Sequence, residues 1–269
     1  MRWYAAFVYL FLYAPIGIII LFSFNSGNHA SDFQGFSIKW FGIALSNPFV
    51  IEALKVSLIV AIITAFLSSV MGTMAALALQ NIRGALRIIF DSLIYIAVMI
   101  PGIVIGIAAL IAMANTLNVI NPMIDIIWPD VFGNAPQLNL GLFSITGIHT
   151  LWTMSLTTII IRARLQGMDR SLIEASTDLY ATPFQTFYKI TLPQIFPGIL
   201  AAALLSFTLS FDDFIMAFFV SGGKTTLPIY VFSSIRRGVT PEINAIATMM
   251  LIVSLVLLFI SQWLNRSKK

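Results

Sequence analysis

Between positions 162 and 198 the chain gathers Arg162, Arg164, Asp169, Arg170, Glu174, Asp178 and Lys189, a set of charges that hydrocarbon does not accept. Yet the segment does not read as a slack loop. Ser171-Leu172-Ile173-Glu174 has the S-x-x-E form of a capping box, whose side chains satisfy the free N–H groups of a helix start, so a helix is predicted from about Leu172. Thr182-Pro183-Phe184-Gln185 offers a second box, with proline at the first helical position, where its missing N–H costs nothing. Leu192-Pro193 and Pro197-Gly198 are expected to stop that second helix. Two short helices, joined near Tyr180–Thr182, would then display Leu172, Ile173, Leu179, Phe184, Phe187 and Tyr188. A pair this small cannot bury so much apolar surface by itself, so it packs on neighbouring helices or docks a partner.

Asp212 and Asp213 form the second set. If the fifth apolar stretch begins near Ile199, Asp212 lies about 20 Å along a helix that rises 1.5 Å per residue. A lone carboxylate at that depth costs roughly 2.5–3.5 kcal/mol, so it needs a watery path or a partner. Adjacent helical residues point about 100° apart, which gives the two carboxylates different jobs: one lines a path and attracts a cation, the other caps or pairs. The alternative is that the helix breaks here and both are merely interfacial. Ring faces attract ammonium groups by about 0.5–2 kcal/mol. Phe207 and Phe211, four apart, share a face, and Trp152 is a weaker candidate; ordinary packing is the competing reading for each ring. His29 and His149 are too far apart in sequence to suggest a metal site. Gly222-Gly223-Lys224-Thr225 ends like the phosphate loop G-x-x-x-x-G-K-[ST], but Phe218 stands where the first glycine belongs, and no nucleotide binding is expected.

The elements that must position these residues follow from composition. Of 269 residues 59% are apolar and 10% charged, against roughly 25% charged in a soluble domain. Too little polar surface remains to face water, so lipid is the expected solvent. Cysteine is absent, which leaves redox compartment uninformative. Six stretches reach the roughly 20 apolar residues that a bilayer demands, at about 4–24, 53–79, 88–114, 143–161, 199–220 and 244–264. The first is read as an uncleaved helix, because no small-x-small cleavage site follows it. Pro15 and Pro101 fall inside spans, where neighbouring helices re-satisfy the freed carbonyls. The 15 basic residues divide ten to five when the N-terminus is placed inside. Arg2, Arg83, Arg87, Arg162, Arg164, Arg170, Lys189, Arg266, Lys268 and Lys269 then face the cytoplasm, and Lys39, Lys55, Lys224, Arg236 and Arg237 face outward. Both termini are expected in the cytoplasm. The segment 115–142, with Asp125 and Asp130 and no basic residue, is expected to be an outer loop. The fold class is therefore all-α: a polytopic membrane protein of about six spans, read as one domain over 1–269, with its inner loop at about 162–198. The scattered net charge of +4 reads as topology, not as a nucleic-acid surface.

Glu174-Ala175-Ser176, followed by Ile190-Thr191-Leu192-Pro193, resembles the EAA loop of binding-protein-dependent ABC importer permeases: E-A-A, three residues, Gly, nine residues, I-x-L-P. Two positions depart, Ser176 for the third alanine and Tyr180 for the glycine. A left-handed Tyr180 would cost roughly 1 kcal/mol or more, so the first helix is expected to run through Tyr180 in a right-handed conformation. The resemblance implies that the loop enters a cleft on a separate ATPase, which carries the ATP and magnesium. Glu174, Ala175, Ser176, Leu179, Tyr180 and Phe184 would form the coupling surface, with Glu174 as its charged contact. Phe11-Leu12-Tyr13-Ala14-Pro15, Ser23-Phe24-Asn25-Ser26, Lys39-Trp40-Phe41, Ser206-Phe207-Thr208-Leu209-Ser210-Phe211-Asp212-Asp213 and Gly238-Val239-Thr240-Pro241-Glu242-Ile243-Asn244-Ala245 look like PotC-type permeases of spermidine/putrescine importers. That likeness implies polyamine uptake by alternating access across a bacterial inner membrane. It also implies a second, similar but different permease chain and an extracytoplasmic binding protein docking on outer segments such as 25–49 and 221–243.

Pro101-Gly102 lacks the acidic residue that polyamine permeases can carry after this proline, which keeps ferric iron, thiamine, phosphonate and sulfate as alternative cargoes. An ion-coupled secondary transporter would need midplane ionisable groups and often repeated halves, and the EAA-like loop would have no role in it. A membrane enzyme would need a nucleophile motif or a cluster of histidine and acidic residues, and the sequence displays neither.

Overall fold

The computed structural model describes residues 2–29, 32–129, 133–169 and 171–266, with residues 2 and 261–266 described in backbone only. Asp130, Arg170, Lys268 and Lys269, which entered the charge reading, lie outside the described residues. In chain order the helices are α1 (Arg2–Ser23), α2 (Lys39–Ser46), α3 (Pro48–Asn81), α4 (Ala85–Met99), α5 (Gly102–Ile127), α6 (Leu142–Gln166), α7 (Ser171–Asp178), α8 (Pro183–Thr186), a π-helical turn (Phe187–Thr191), α9 (Leu192–Asp212), α10 (Ile215–Val220), α11 (Leu227–Ile235) and α12 (Pro241–Arg266). Among the described residues six helices are long and apolar enough to cross a membrane: Trp3–Ser23, Pro48–Asn81, Gly102–Ile127, Leu142–Gln166, Pro183–Asp212 and Pro241–Ile260. The fold is all-α and polytopic.

Three expected boundaries need correction. The stretch 88–114 is not one span: α4 ends at Met99 and α5 begins at Gly102. Pro101 excludes the α region for the residue before it, and Ile100 is accordingly extended, at φ −66° and ψ 131°. The spanning helix is α5, which continues to Ile127 through half of the expected outer loop. Its apolar run persists in Leu117, Ile120, Met123 and Ile127, and its polar Asn121 serves the loop that follows. Asn121 Nδ2 donates to the Leu138 carbonyl (3.0 Å) and its Oδ1 accepts from the Leu138 N–H (2.9 Å). The charged segment also starts later than expected, because Arg162 and Arg164 belong to the last turns of α6. Finally, Pro193 and Pro197 do not stop a helix. Pro183–Asp212 is continuous, with the π turn just before Pro193. There the Leu192 N–H reaches back five residues to the Phe187 carbonyl, a widened turn that gives the proline ring room in the helix.

One compact unit comprises residues 1–57 and 225–256. Within it α1 continues through Pro15, which lies inside the span as expected, and leaves Phe7, Leu10, Phe11 and Tyr13 exposed, as lipid-facing groups are. The loop after α1 is organised by Asn25, which is fully buried. Its amide donates to the carbonyls of His29 (3.0 Å) and Asp32 (2.7 Å) and accepts from the N–H groups of Gly27 (3.1 Å) and Gln34 (2.9 Å). Every capacity of one side-chain amide is thus used in closing a single loop. Asn47 caps α3 by accepting from the Phe49 N–H (3.0 Å) and donates to Glu242 Oε1 (2.9 Å) at the start of α12.

The other unit comprises residues 58–224 and 257–269. Here α6 is the most enclosed spanning helix, and its buried face carries Thr150, Thr153, Ser155, Thr157 and Thr158. Small hydroxyl side chains let helices approach closely in lipid and bond across the gap. Thr157 and Ser206 of α9 share a hydrogen bond of 3.1 Å, and a Cβ at Gly72 of α3 would stand 2.6 Å from Thr157 Cγ2. Nearer the end of α6, Arg162 donates to Asp91 of α4 at 2.5 Å, with Arg87 3.8 Å from the same carboxylate.

Candidate functional site

Helices α7 and α8 form a small knob whose geometry is set by three local devices. At its start Asp169 accepts from the Ser171 N–H at 2.9 Å, so the helix begins one residue earlier than the expected box implies. The Ser171 side chain and then its backbone N–H hold the Asp169 carboxyl below its ordinary acidity range. At the second start the expected box is present in full. Thr182 Oγ1 accepts from the Gln185 N–H (3.3 Å) and Gln185 Oε1 accepts from the Thr182 N–H (3.0 Å), with Pro183 at the first helical position.

Between the two starts the expected right-handed Tyr180 is wrong: its φ is +57°. The Ala181 N–H donates to the Ser176 carbonyl (3.1 Å) and the Tyr180 N–H to the Thr177 carbonyl (2.9 Å). This pair of bonds is the Schellman closure of a helix, and it requires a left-handed residue at the position after the cap. Thr182 adds the second reason, since as the residue before Pro183 it must be extended (φ −68°, ψ 155°). The chain therefore has to reverse at Tyr180. Two satisfied carbonyls at roughly 1 kcal/mol each offset a left-handed tyrosine at roughly 1–2 kcal/mol.

The seam of the knob is held by Ser176 and Thr186, whose hydroxyl oxygens lie 2.7 Å apart. Ser176 is 6% exposed, while its neighbours Glu174 and Ala175 are open to solvent. Leu179, Tyr180 and Phe184 are exposed too, Tyr180 by 95%, and the Phe184 and Tyr188 rings stack with centroids 6.4 Å apart. Five of the six residues expected on the coupling surface are therefore displayed together, and the sixth, Ser176, holds them from within.

The second site lies where α9 gives way to α10. α9 ends at Asp212, and Asp213 turns the chain with φ −70° and ψ 124°. The Asp213 carboxylate points inward: Oδ2 accepts from the Ala217 N–H of α10 (3.0 Å) and lies 3.1 Å from His149 Nε2 on α6. His149, 1% exposed, places its Nδ1 2.8 Å from Ser210 Oγ on the last turn of α9. Ser210 is buried, so this serine, histidine and aspartate offer no nucleophile to a substrate. Asp212 is exposed. The helix does break, as the alternative reading allowed, but the carboxylates differ: one is built into the bundle and the other faces out. Phe207 and Phe211 stack at 5.8 Å, with Phe211 buried and Phe207 half-buried. Phe211 thus packs the bundle and offers no open ring face. Trp152 is half-buried, three residues along α6 from His149.

His149 and Ser210 escaped the sequence reading, which weighed His149 only as a metal ligand. The available signal was a lone titratable group inside an apolar span, which needs an internal partner. The Gly222-Gly223 pair is a turn, with φ +53° and +96°, and a Cβ at Gly222 would collide with the Leu140 carbonyl. The turn accounts for the glycines that mimic a phosphate loop.

Comparison with known proteins bears on this architecture. The family profile described as "Binding-protein-dependent transport system inner membrane component" matches residues 68–267, which include the knob and the broken helix. The putrescine transport system permease protein PotI of Escherichia coli (strain K12) is 37% identical over 247 residues, 90% of this chain and 82% of that protein. The spermidine/putrescine transport system permease protein PotC of the same organism is 33% identical over 262 residues, 97% of this chain and 92% of that protein. In fold the chain is similar to a bacterial ABC transporter involved in the import of the acidic polysaccharide alginate, with a TM-score of 0.71 at 17% identity over 98% of this chain and 94% of that one. It is also similar to an amino acid ABC transporter, at 0.58 and 18% over 84% and 97%. A profile covering most of the chain, two relatives above 30% identity along nearly all of it and a shared helical architecture agree: the chain belongs to the binding-protein-dependent transport system inner membrane components.

Proposed function

We propose that this chain is one of two permease subunits of an ATP-driven importer that moves polyamines inward by alternating access. The observation that carries the reading is the knob. Two short helices, locked by a Schellman closure, a capping box and the Ser176–Thr186 bond, hold Leu179, Tyr180 and Phe184 in water beside Glu174. Exposed apolar groups on a rigid support mark a protein interface. The partner is an ATPase subunit, which binds ATP and magnesium, and its cleft receives the knob. The knob faces the cytoplasm and both termini lie there, in keeping with the ten-to-five division of basic residues. Because α8 runs without interruption into α9, displacement of the knob moves the Asp212 end of the same helix.

The path runs past Asp212, and Phe207 on α9 and Trp152 on α6, both half-buried, are the rings assigned to it. An exposed carboxylate attracts the ammonium groups of a polyamine, in line with the cargo named for the PotI and PotC relatives. Asp213 and Phe211 support this surface from behind. A second permease chain of similar but different sequence completes the path, and an extracytoplasmic binding protein delivers cargo to the outer segments. The test is uptake into proteoliposomes holding both permeases and the ATPase, with the cognate binding protein outside. Labelled putrescine should accumulate only with ATP inside, and excess spermidine should compete. Competition by ferric iron or thiamine instead would reject the amine cargo.

A further inference from the structure

We propose that His149 is a positioning residue for the transport path: it clamps Asp213 inward at the break between α9 and α10 and so leaves Asp212 as the carboxylate that meets the cargo. The inference rests on the reading of Asp212 as part of the path. The imidazole is enclosed and both of its nitrogens are engaged, Nδ1 with Ser210 Oγ at 2.8 Å and Nε2 with Asp213 Oδ2 at 3.1 Å. Ser210 belongs to the last turn of α9, and Asp213 also accepts from the Ala217 N–H on the first turn of α10. One ring on α6 therefore staples the two halves of an interrupted helix. With Nε2–H donating to the carboxylate and Nδ1 facing the serine hydroxyl, one ring engages both neighbours at once. A main-chain break inside a span survives only where surrounding groups take up the freed backbone and polar atoms, and His149 and Asp213 do this together.

The consequence reaches the adjacent residue. Asp212 is joined to Asp213 by one peptide bond, so anchoring the latter inward turns the former outward, where it is exposed. Without the ring, Asp213 loses a buried partner and two neighbouring carboxylates compete for one cation.

The chain contains no cysteine, so an introduced thiol reports its own accessibility. In the complete reconstituted importer, Asp212→Cys should react with a cationic, membrane-impermeant methanethiosulfonate, read as a mass shift of this chain. Adding His149→Ala should slow that reaction at least tenfold, and His149→Gln, whose amide can donate to Asp213 and accept from Ser210, should restore it to within about threefold. With Asp212 intact, His149→Ala should raise the KM for putrescine about tenfold and change kcat less than threefold. Asp213→Ala removes the anchor from the other side and should give the same KM increase should His149→Ala fail to assemble. Equal labelling with and without His149, or a loss confined to kcat, would overturn the clamp. Unaltered uptake by Asp212→Asn would overturn the path reading and the KM prediction with it, while the labelling rates judge the clamp independently.

Discussion

The hydroxyl oxygens of Ser176 and Thr186 lie 2.7 Å apart across the seam of the knob, joining two helices that a four-residue turn connects. An alanine at position 176 would fill the space without the bond. Ser176→Ala should therefore loosen the knob by about 0.5–1.5 kcal/mol, with faster amide exchange in 171–188 and unchanged exchange in α6. Thr186→Ala should have the same effect, and the double variant should add little.

Tyr180 makes the opposite case, a residue that costs local stability and offers surface. Tyr180→Gly removes the left-handed penalty and should stabilise the turn by about 1 kcal/mol, seen as slower exchange of the Ala181 amide. The same change removes the most exposed ring of the knob and should weaken its hold on the ATPase. Faster exchange at Ala181 would contradict the closure described here.

Gly72 admits no side chain as the helices stand, since its Cβ would meet Thr157 Cγ2 at 2.6 Å. Gly72→Ala should destabilise the detergent-solubilised protein by about 1–3 kcal/mol through overpacking. Thr157→Ser deletes the offending methyl and keeps the hydroxyl that bonds Ser206, so the pair of changes should recover part of the loss. No recovery would place the clash elsewhere.

Asp169 gives the knob a pH response of known sign. Its carboxyl is held below its ordinary range by Ser171, so its help to the first turn of α7 is present above the unfolded value and is lost as pH falls through the folded one. The protection of the Ser171 amide, the slowing of its exchange relative to an unstructured peptide at the same pH, should fall as the medium is acidified below the carboxylate range. In Asp169→Asn that acid limb should vanish.

How much of this was legible in the sequence varied with the physics involved. Composition and run length gave the number of spans, because lipid imposes a length on any crossing helix, but they misplaced the third, expected at 88–114 and found at Gly102–Ile127, and the fifth, expected at 199–220 and found at Pro183–Asp212. The Thr182 box could be read since each of its bonds lies within four residues. Tyr180 could not, because its left-handed state follows from two chain reversals competing for one residue, and propensity weighs residues singly. Pro193 misled for a related reason: proline ends a helix only where the preceding turn cannot widen, and a π turn widened it. Ile100-Pro101 is the counterexample, where the same rule did end the helix. Asp212 and Asp213 stood out as carboxylates deep in an apolar stretch, but the partner of Asp213 is His149, some sixty residues earlier, and no local pattern announces it.

The central claim is that the knob transmits the work of a separate ATPase, and Ala175→Arg tests it most directly. The guanidinium stands on the exposed face beside Glu174 and away from the seam, so the bundle should insert and melt as before. In proteoliposomes with all subunits, binding-protein-stimulated ATP hydrolysis should no longer drive putrescine uptake, with accumulation reduced at least tenfold. Uptake at the unmodified rate, with ATP turnover still coupled to it, would contradict the account.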